Sequence, residues 1–548
     1  MAAAAIPLRP IVGGMESDLD AAVVPDKGKR AEACLSYRIQ TAREERTGSL
    51  AQPDNGDAER FTDFSGSYSK ALLHDALGIP NKAAMQSLIK ALETGEFSDF
   101  QNILVGTPGG GPNSKENGPQ TALAFDLEGL DSHATTIAAA PSVASAQTAA
   151  EAVEHYWGAL LRDVPFTEYP TNSLVAKAVA DMNKLSFINA AGSQQFPAPV
   201  TPENLFRGQF VPGDGNVQGP YISQFLLQST FFGAQLLNQQ YQTLLPATAG
   251  GSDFMTSVSE FQTIQNGGDS GRKLSFDPTS RYIRAGRDLA AYTHVDALYQ
   301  AYLVAALVLT GINTPPNPGN PYIGSKTEKG FGTLGGPDAV GTLTEMATRA
   351  LKAAWYHKWM VDLRPRPEEY AGLVQANLTK ATPMPEAAAA LHGDVLNSAV
   401  LPLIQSIYGS YLLPQAFPEG SPTHPAYPTG HGTAAGACIT VLKFFYDGSF
   451  VIPNPVQPSP DGLSVVPYTG PDAGQLTVNG ELNKLGHNVS FGHGIHAGIH
   501  WRSDSDTSLL LGEALALEFL ANRARTYNEP FTVKLTKFDG TTVTISNA

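Results

Sequence analysis

Cysteine is nearly missing from this chain of 548 residues: Cys34 and Cys438 are the only two. Two cannot build a disulfide framework, and neither sits in the CxxC spacing of a zinc or iron–sulfur site, so cysteine redox chemistry is excluded. Positive charge is also short. With 36 Lys and Arg against 51 Asp and Glu, the formal net charge is −15. No segment supplies the clustered cationic excess that neutralising a phosphate backbone demands, so nucleic acid is not an expected partner. Long apolar runs are absent as well: residues 301–309 give a run of nine, where a membrane crossing takes about 20. The stretch MAAAAIPLRPIVGG has no basic residues before its small-residue run and does not read as a signal peptide, which leaves cytoplasmic and exported fates both open. What is present, 42% hydrophobic and 16% charged residues, is the composition of a soluble globular chain. Length alone gives a prior of about three to four domains, or one large helical unit.

Residues 1–60 mix small, charged and polar residues without a sustained period and read as an arm on the surface. Helical periodicity takes over in residues 61–530. Residues 145–162 put Ala149, Val153, Tyr156, Trp157, Leu160 and Leu161 at three- and four-residue steps, which predicts an amphipathic helix. Similar spacing runs through 288–309, 339–359, 434–445 and 509–523. Long Gly- and Pro-rich connections begin at Thr107, Asn313 and Pro453, and loops of that length usually form functional rims. Residues 531–548 alternate apolar and polar on both sides of Asp539-Gly540, predicting a terminal β-hairpin closed by a type I′ turn. Strands do not alternate with helices, so the expected fold class is mainly α.

Eight of the twelve histidines follow residue 350, and six of them (His424, His431, His487, His493, His496 and His500) fall between positions 424 and 500. Three segments give this clustering a chemical context. The helix read over 339–359 carries Leu343, Ala347, Ala350, Leu351 and Ala354 on one face, and the next step of four brings Lys358 onto it. Snorkelling along the apolar face is the ordinary fate of such a lysine. The following LRPRPEEY adds Arg364 and Arg366, held on an extended turn by Pro365 and Pro367. A Lys and an Arg converging in an acidic chain suggest a bound oxyanion. Next, HPAYPTGH from His424 to His431 opens a helix: Thr429 is a candidate N-cap, and Gly430 would let an anion approach the backbone at the positive end of the dipole. His431 would then stand over the anion as proton donor and acceptor. Finally, His500 is followed four residues later by Asp504, a spacing that lets the carboxylate fix the imidazole tautomer; such a histidine serves as nucleophile or ligand.

Lys358 with Arg366-Pro367, then Thr429-Gly430-His431, then His500 with Asp504, resemble the three-part signature of the vanadium-dependent haloperoxidases and the related type 2 phosphatidic acid phosphatases. The eight-residue step from Lys358 to Arg366, and His424 seven residues before His431, resemble the bromoperoxidase branch of marine algae and cyanobacteria. Segments such as FQNILVGTPGGG, EAVEHYWGALLRDVPF, TRALKAAWYHKWMVDLRPRPEEY and EGSPTHPAYPTGHGTAAGA extend the likeness over roughly residues 60–525.

The resemblance implies a vanadate cofactor bound through its metal by His500, with Asp504 orienting that ring. It implies that Lys358, Arg366, Thr429 and the Gly430 N–H hold the oxygens, that His431 is the acid–base group, and that His424 is a second pocket histidine. Trp355 and His357 fall where that branch tunes the halide pocket. Hydrogen peroxide, bromide or another halide, and an organic acceptor are the implied partners. Two four-helix bundles enclosing the site, a homo-oligomer from dimer to dodecamer, and in some relatives a structural calcium belong to the same implication.

Two departures from the family signature stand out. Thr429 replaces a serine, keeping the hydroxyl. An arginine six residues before the ligand histidine is absent: that position is Gly494, and because GHGIHAGIH is one residue longer than usual, the equivalent pair is alternatively Gly492-His493. His493 is the candidate replacement, and His493 or His496 would restore positive charge if protonated. The alternatives to a haloperoxidase are an acid phosphatase-like hydrolase, in which His500 attacks a phosphoester, and an oxyanion-binding relative with weakened catalysis.

Overall fold

A computed structural model describes residues 27–46, 51–75, 78–190 and 196–547. The part of the expected arm in residues 1–26 and 47–50 lies outside the described residues. Within that arm Lys27–Arg46 is helical.

The helices that frame the site are α1 (Ala146–Leu161), α2 (Gly286–Val295), α3 (Gln300–Gly311), α4 (Gly336–Tyr356), α5 (Pro367–Leu378), α6 (Gly430–Phe445), α7 (Val478–Phe491) and α8 (Arg502–Ala524). Their starts follow local chemistry. Ser145 Oγ accepts from Thr148 N at 3.1 Å to cap α1, and Thr477 Oγ1 accepts from Gly480 N at 3.2 Å to cap α7. Pro337 and Pro367 sit in the first turns of α4 and α5, where their missing N–H groups cost nothing.

Helix α6 runs through the middle, with every residue except His431 buried. It packs on α8 through small residues. A Cβ on Gly436 would lie 2.0 Å from Leu509 O, and one on Gly512 would lie 2.0 Å from Thr433 O, so the two backbones touch where no side chain fits. One apolar core extends from Phe61 to Ile545 and takes in residues from all eight helices. No helix among the described residues is long and apolar enough to cross a membrane.

Several of the expected elements need correction. Helix α1 is buried almost all round, including Glu151, Glu154 and His155, because it lies inside the fold and not on its surface. The single helix read over 288–309 is two helices, α2 and α3, separated at Asp296. Helix α4 ends at Tyr356 and continues as a π turn, His357–Asp362, in which Leu363 N donates to Lys358 O at 3.2 Å. A second π turn, Gly492–His496, follows α7, with Ala497 N donating to Gly492 O at 3.1 Å. A π turn takes up one more residue than an α turn, so the extra residue noticed in this segment is absorbed there.

The C-terminal strands β1 (Thr532–Thr536) and β2 (Thr542–Ser546) pair antiparallel as expected. The turn differs: Lys537 N donates to Thr541 O at 2.8 Å and Gly540 N to Lys537 O at 3.1 Å, with positive φ confined to Gly540. That is a type I turn with a glycine bulge, so Asp539-Gly540 marks the turn correctly but not its class.

Candidate active site

Four segments converge: the π turn after α4, the start of α5, the start of α6, and the π turn with the loop leading into α8. Lys358, fully buried, donates from Nζ to Pro425 O at 2.7 Å and Ala426 O at 3.0 Å. Arg366, at the N-cap of α5, donates from Nε to His424 O at 2.8 Å, from Nη1 to Ile499 O at 2.8 Å, and from Nη2 to His424 Nδ1 at 2.8 Å. Its Nη1 also lies 2.8 Å from His500 Nε2. These partners are carbonyls and ring nitrogens, not carboxylates. Burial and the neighbouring Arg366 push the Lys358 ammonium well below its ordinary range, and burial lowers the Arg366 guanidinium to about 10. Two adjacent cations buried without a contacting counter-charge form a cradle for an anion.

His500 and Asp504 pair at 3.1 Å through Nδ1 and Oδ2. The geometry is not that of two residues on one helix face: His500 precedes α8, and Asp504 at its third position turns back to accept Trp501 N at 2.9 Å. Asp504 also accepts from Arg364 Nη1 at 2.6 Å, and Arg364 in turn reaches Ser503 Oγ at 2.7 Å. Arg364 therefore belongs to the carboxylate behind the histidine, not to the cradle in front of it. With Nδ1–H donating to Asp504, the lone pair of Nε2 is left facing Arg366 and the cradle.

His431 stands at the opening of the site and is its most exposed member, with 18% of its side chain accessible. Its Nε2 meets Asp296 Oδ1 at 3.0 Å, and its ring stacks on His493 at 4.0 Å between centroids. The break between α2 and α3 is what frees Asp296 to make this contact. Sequence reasoning missed Asp296, which lies 135 positions away with no local signal beyond an acidic residue inside an apolar run.

His493 lies 5.7 Å from the His500 ring, and its Nδ1 is buried without a partner. Burial, with His431 and Arg366 nearby, pushes its pKa well below the ordinary value, so it is neutral and offers a hydrogen bond, not a charge. His496 does not join the site. It faces Tyr221, Phe166 and Phe206, with Nε2 at 2.9 Å from Tyr221 Oη, and burial lowers its pKa to about 3. The expected rescue by protonated histidine is therefore not built into the free protein. Arg502 gives no substitute either, since its guanidinium pairs with Glu154 of α1.

Thr429 holds the N-cap position of α6, but its side chain makes no capping bond, and Oγ1 is buried without a partner. Gly430 serves packing as well as anion access, since a Cβ there would lie 3.0 Å from Trp355 Cζ3. Trp355 packs on His424, with centroids 4.6 Å apart, and donates from Nε1 to Asn117 O at 3.0 Å. His357 points elsewhere, toward Thr135 Oγ1 at 2.9 Å, and is held neutral by burial near a pKa of about 3.

The donor set fits a tetrahedral oxyanion. Two cations, the orphaned Thr429 hydroxyl, the first-turn N–H groups of α6 and the unpartnered His493 Nδ1 come from the segments that meet at His500, whose Nε2 carries a lone pair. A divalent cation fits poorly beside Lys358 and Arg366, and among the described residues no His, Cys, Asp or Glu group has metal-holding geometry.

The chain is similar to known proteins over nearly its whole length. A vanadium-dependent bromoperoxidase of Corallina officinalis is 33% identical over 566 aligned positions, gaps included, covering 90% of this chain and 92% of that relative. The vanadium-dependent bromoperoxidase of Ascophyllum nodosum is 33% identical over 539 residues, 93% of this chain and 92% of the relative. Among solved structures, the homohexameric second vanadate-dependent bromoperoxidase of Ascophyllum nodosum superposes with a TM-score of 0.85 at 30% identity, covering 98% of this chain and 94% of that one. No family model matches the chain.

Proposed function

The chain belongs to the vanadium-dependent bromoperoxidase family, and from that premise we propose that it uses hydrogen peroxide to oxidise bromide at a vanadate ion held between His500 and the α6 N-terminus. The hypohalous product would halogenate organic acceptors. The observation that carries this reading is the uncompensated pair Lys358 and Arg366 facing the Nε2 lone pair of His500. When bound, vanadate supplies a Lewis-acidic vanadium(V) that activates peroxide toward halide without changing oxidation state.

The residues then divide the work. His500 Nε2 would ligate the metal in place of its present contact with Arg366, while Asp504, steadied by Arg364 and the Trp501 N–H, keeps the proton on Nδ1. Lys358, Arg366, the Thr429 hydroxyl and the Gly430 N–H would hold the oxygens and draw negative charge toward themselves. His493 would add a neutral donor in place of the arginine of the family signature. His431, fixed by Asp296, would accept a proton from hydrogen peroxide and give one to the hydroxyl that leaves as water. His424 and Trp355 would form the halide side of the site, with the tryptophan edge limiting access. We further propose that the protein assembles as a homo-oligomer, as its hexameric structural relative does.

The reading is tested by titrating orthovanadate into the apoprotein and following bromination of a phenolic dye with bromide and peroxide, with phosphate as competitor. Saturable activity suppressed by phosphate supports it. Phosphoester hydrolysis without bromination would shift the assignment to a phosphatase that uses the same cradle.

A further inference from the structure

Two exposed apolar features meet at the C-terminal end of α8. The first is the arm helix, Lys27–Arg46, of whose described side chains only Ala33 is buried. Ala33 and Tyr37 turn toward the body, and Tyr37 Oη donates to Asn522 O of α8 at 2.8 Å. On the opposite side Ala31, Leu35, Ile39 and Ala42, spaced four, four and three residues apart, form an exposed stripe in which Leu35 is 61% and Ile39 42% accessible. A helix takes most of its stability from packing an apolar face, and this one carries its larger apolar side chains on the face turned away from its own body. The second feature is the connecting segment 124–131. Asp126 is held inward, its Oδ1 at 2.7 Å from Lys352 Nζ and 3.5 Å from Arg349 Nη1 of α4, while its neighbours Phe125 and Leu127 stand outward, 72% and 89% accessible. Gly129 seats this segment on α8, where a Cβ would lie 2.9 Å from Phe519 Cδ2. Phe519 and Asn522 are three residues apart on one face of α8, so the helix and the segment are attached side by side.

Clustered exposed apolar side chains mark a protein contact, and charge identifies the partner. The arm helix has six Lys and Arg against three Glu in a chain of net charge −15, whereas segment 124–131 has Asp126, Glu128 and Asp131 and no Lys or Arg. The two features are complementary, yet within one copy the stripe faces away from the body that carries the segment. A two-fold axis beside this end of α8 brings the arm of each copy onto the segment of the other and satisfies both features twice. We propose that the arm helix of one copy docks through Leu35 and Ile39 on Phe125 and Leu127 of a second copy, which returns the same contact. Arm on arm would instead oppose like charges. The contact rests on the assembly proposed above and needs no vanadate.

The test is the mass of the full vanadate-free chain by light scattering over a range of concentrations. Leu35→Asp and Leu127→Asp alter exposed side chains that the fold of one copy tolerates. Each is expected to lower the mass about twofold or more at equal concentration, with the far-UV circular dichroism of the wild type. Cys34 is the exposed cysteine of the arm helix, and Cys438 is buried, so a short bismaleimide added to Glu128→Cys should give a band of two joined chains. That band should vanish in Glu128→Cys with Cys34→Ser. A wild type that is monomeric at every concentration would overturn both this contact and the proposed assembly. An oligomer whose mass either variant leaves unchanged, as it would be if residues 1–26 of the same chain covered the stripe, or cross-links confined to single chains, would overturn the contact alone.

Discussion

Thr429→Val separates the fold's interest from the site's. In the free protein Thr429 Oγ1 is buried and bonded to nothing. An unsatisfied hydroxyl costs about 1–3 kcal/mol, so replacing it by a methyl of similar shape should make the vanadate-free protein more stable, by about 1 kcal/mol or more. With an anion bound the same hydroxyl becomes a donor to a charged acceptor, a bond of about 1.5–3 kcal/mol. Its loss should weaken vanadate about 10- to 150-fold. Urea denaturation of the free protein and equilibrium dialysis with orthovanadate read the two effects separately, and Thr429→Ser serves as the control that keeps the hydroxyl. If Thr429→Val lowers the stability of the free protein, or binds vanadate as well as the wild type does, the hydroxyl is not an anion donor and the reasoning fails.

Other outcomes follow from the same contacts. Asp296→Asn, which keeps the shape but removes the charge behind His431, should reduce bromination about 100-fold or more while vanadate affinity changes little; equal losses in both would mean that Asp296 is structural. Gly436→Ala places a methyl 2.0 Å from Leu509 O, so denaturant titration should register about 1–3 kcal/mol of destabilisation or more; a neutral result would refute the close α6–α8 contact. Asp362 is only partly buried as a residue, but its Oδ2 is out of contact with solvent, and burial pushes its carboxyl up to about 8. The unfolded chain ionises this group near its ordinary value, so the fold retains a proton that the unfolded state sheds, and stability falls as pH rises toward 8. Between pH 5.5 and 7 the carboxyl is protonated in the fold and ionised in the unfolded chain, so Asp362→Asn should remove a slope of about 1.4 kcal/mol per pH unit, the contribution of the buried histidines being common to both proteins. An unchanged slope in the variant would place the proton elsewhere.

Much of this was legible from the chain because helical spacing and the histidine clusters are local signals. Lys358, Arg366, His424, His431, His500 and Asp504 stand out from their spacing alone, and all converge. What was hidden depends on distance or on a single residue of slack. The helix break that brings Asp296 against His431 leaves the apolar spacing of residues 288–309 intact, so periodicity reads through it. The π turns at 357–362 and 492–496 each shift the chain by one residue, which sequence spacing registers only as an odd length. Arg364 was grouped with Arg366 by proximity, yet its partner Asp504 lies 140 positions away. His496 was grouped with His493 by spacing, and the π turn sends the two rings to different places. The idle hydroxyl of Thr429 could not be inferred at all, because an N-cap threonine usually bonds its own helix.

The most direct test of the central claim is diffraction from crystals soaked in orthovanadate, with data collected above the vanadium absorption edge. The account predicts one strong anomalous peak within bonding distance of His500 Nε2, flanked by Lys358, Arg366 and Thr429. No peak at saturating vanadate, or a peak away from His500, would contradict it.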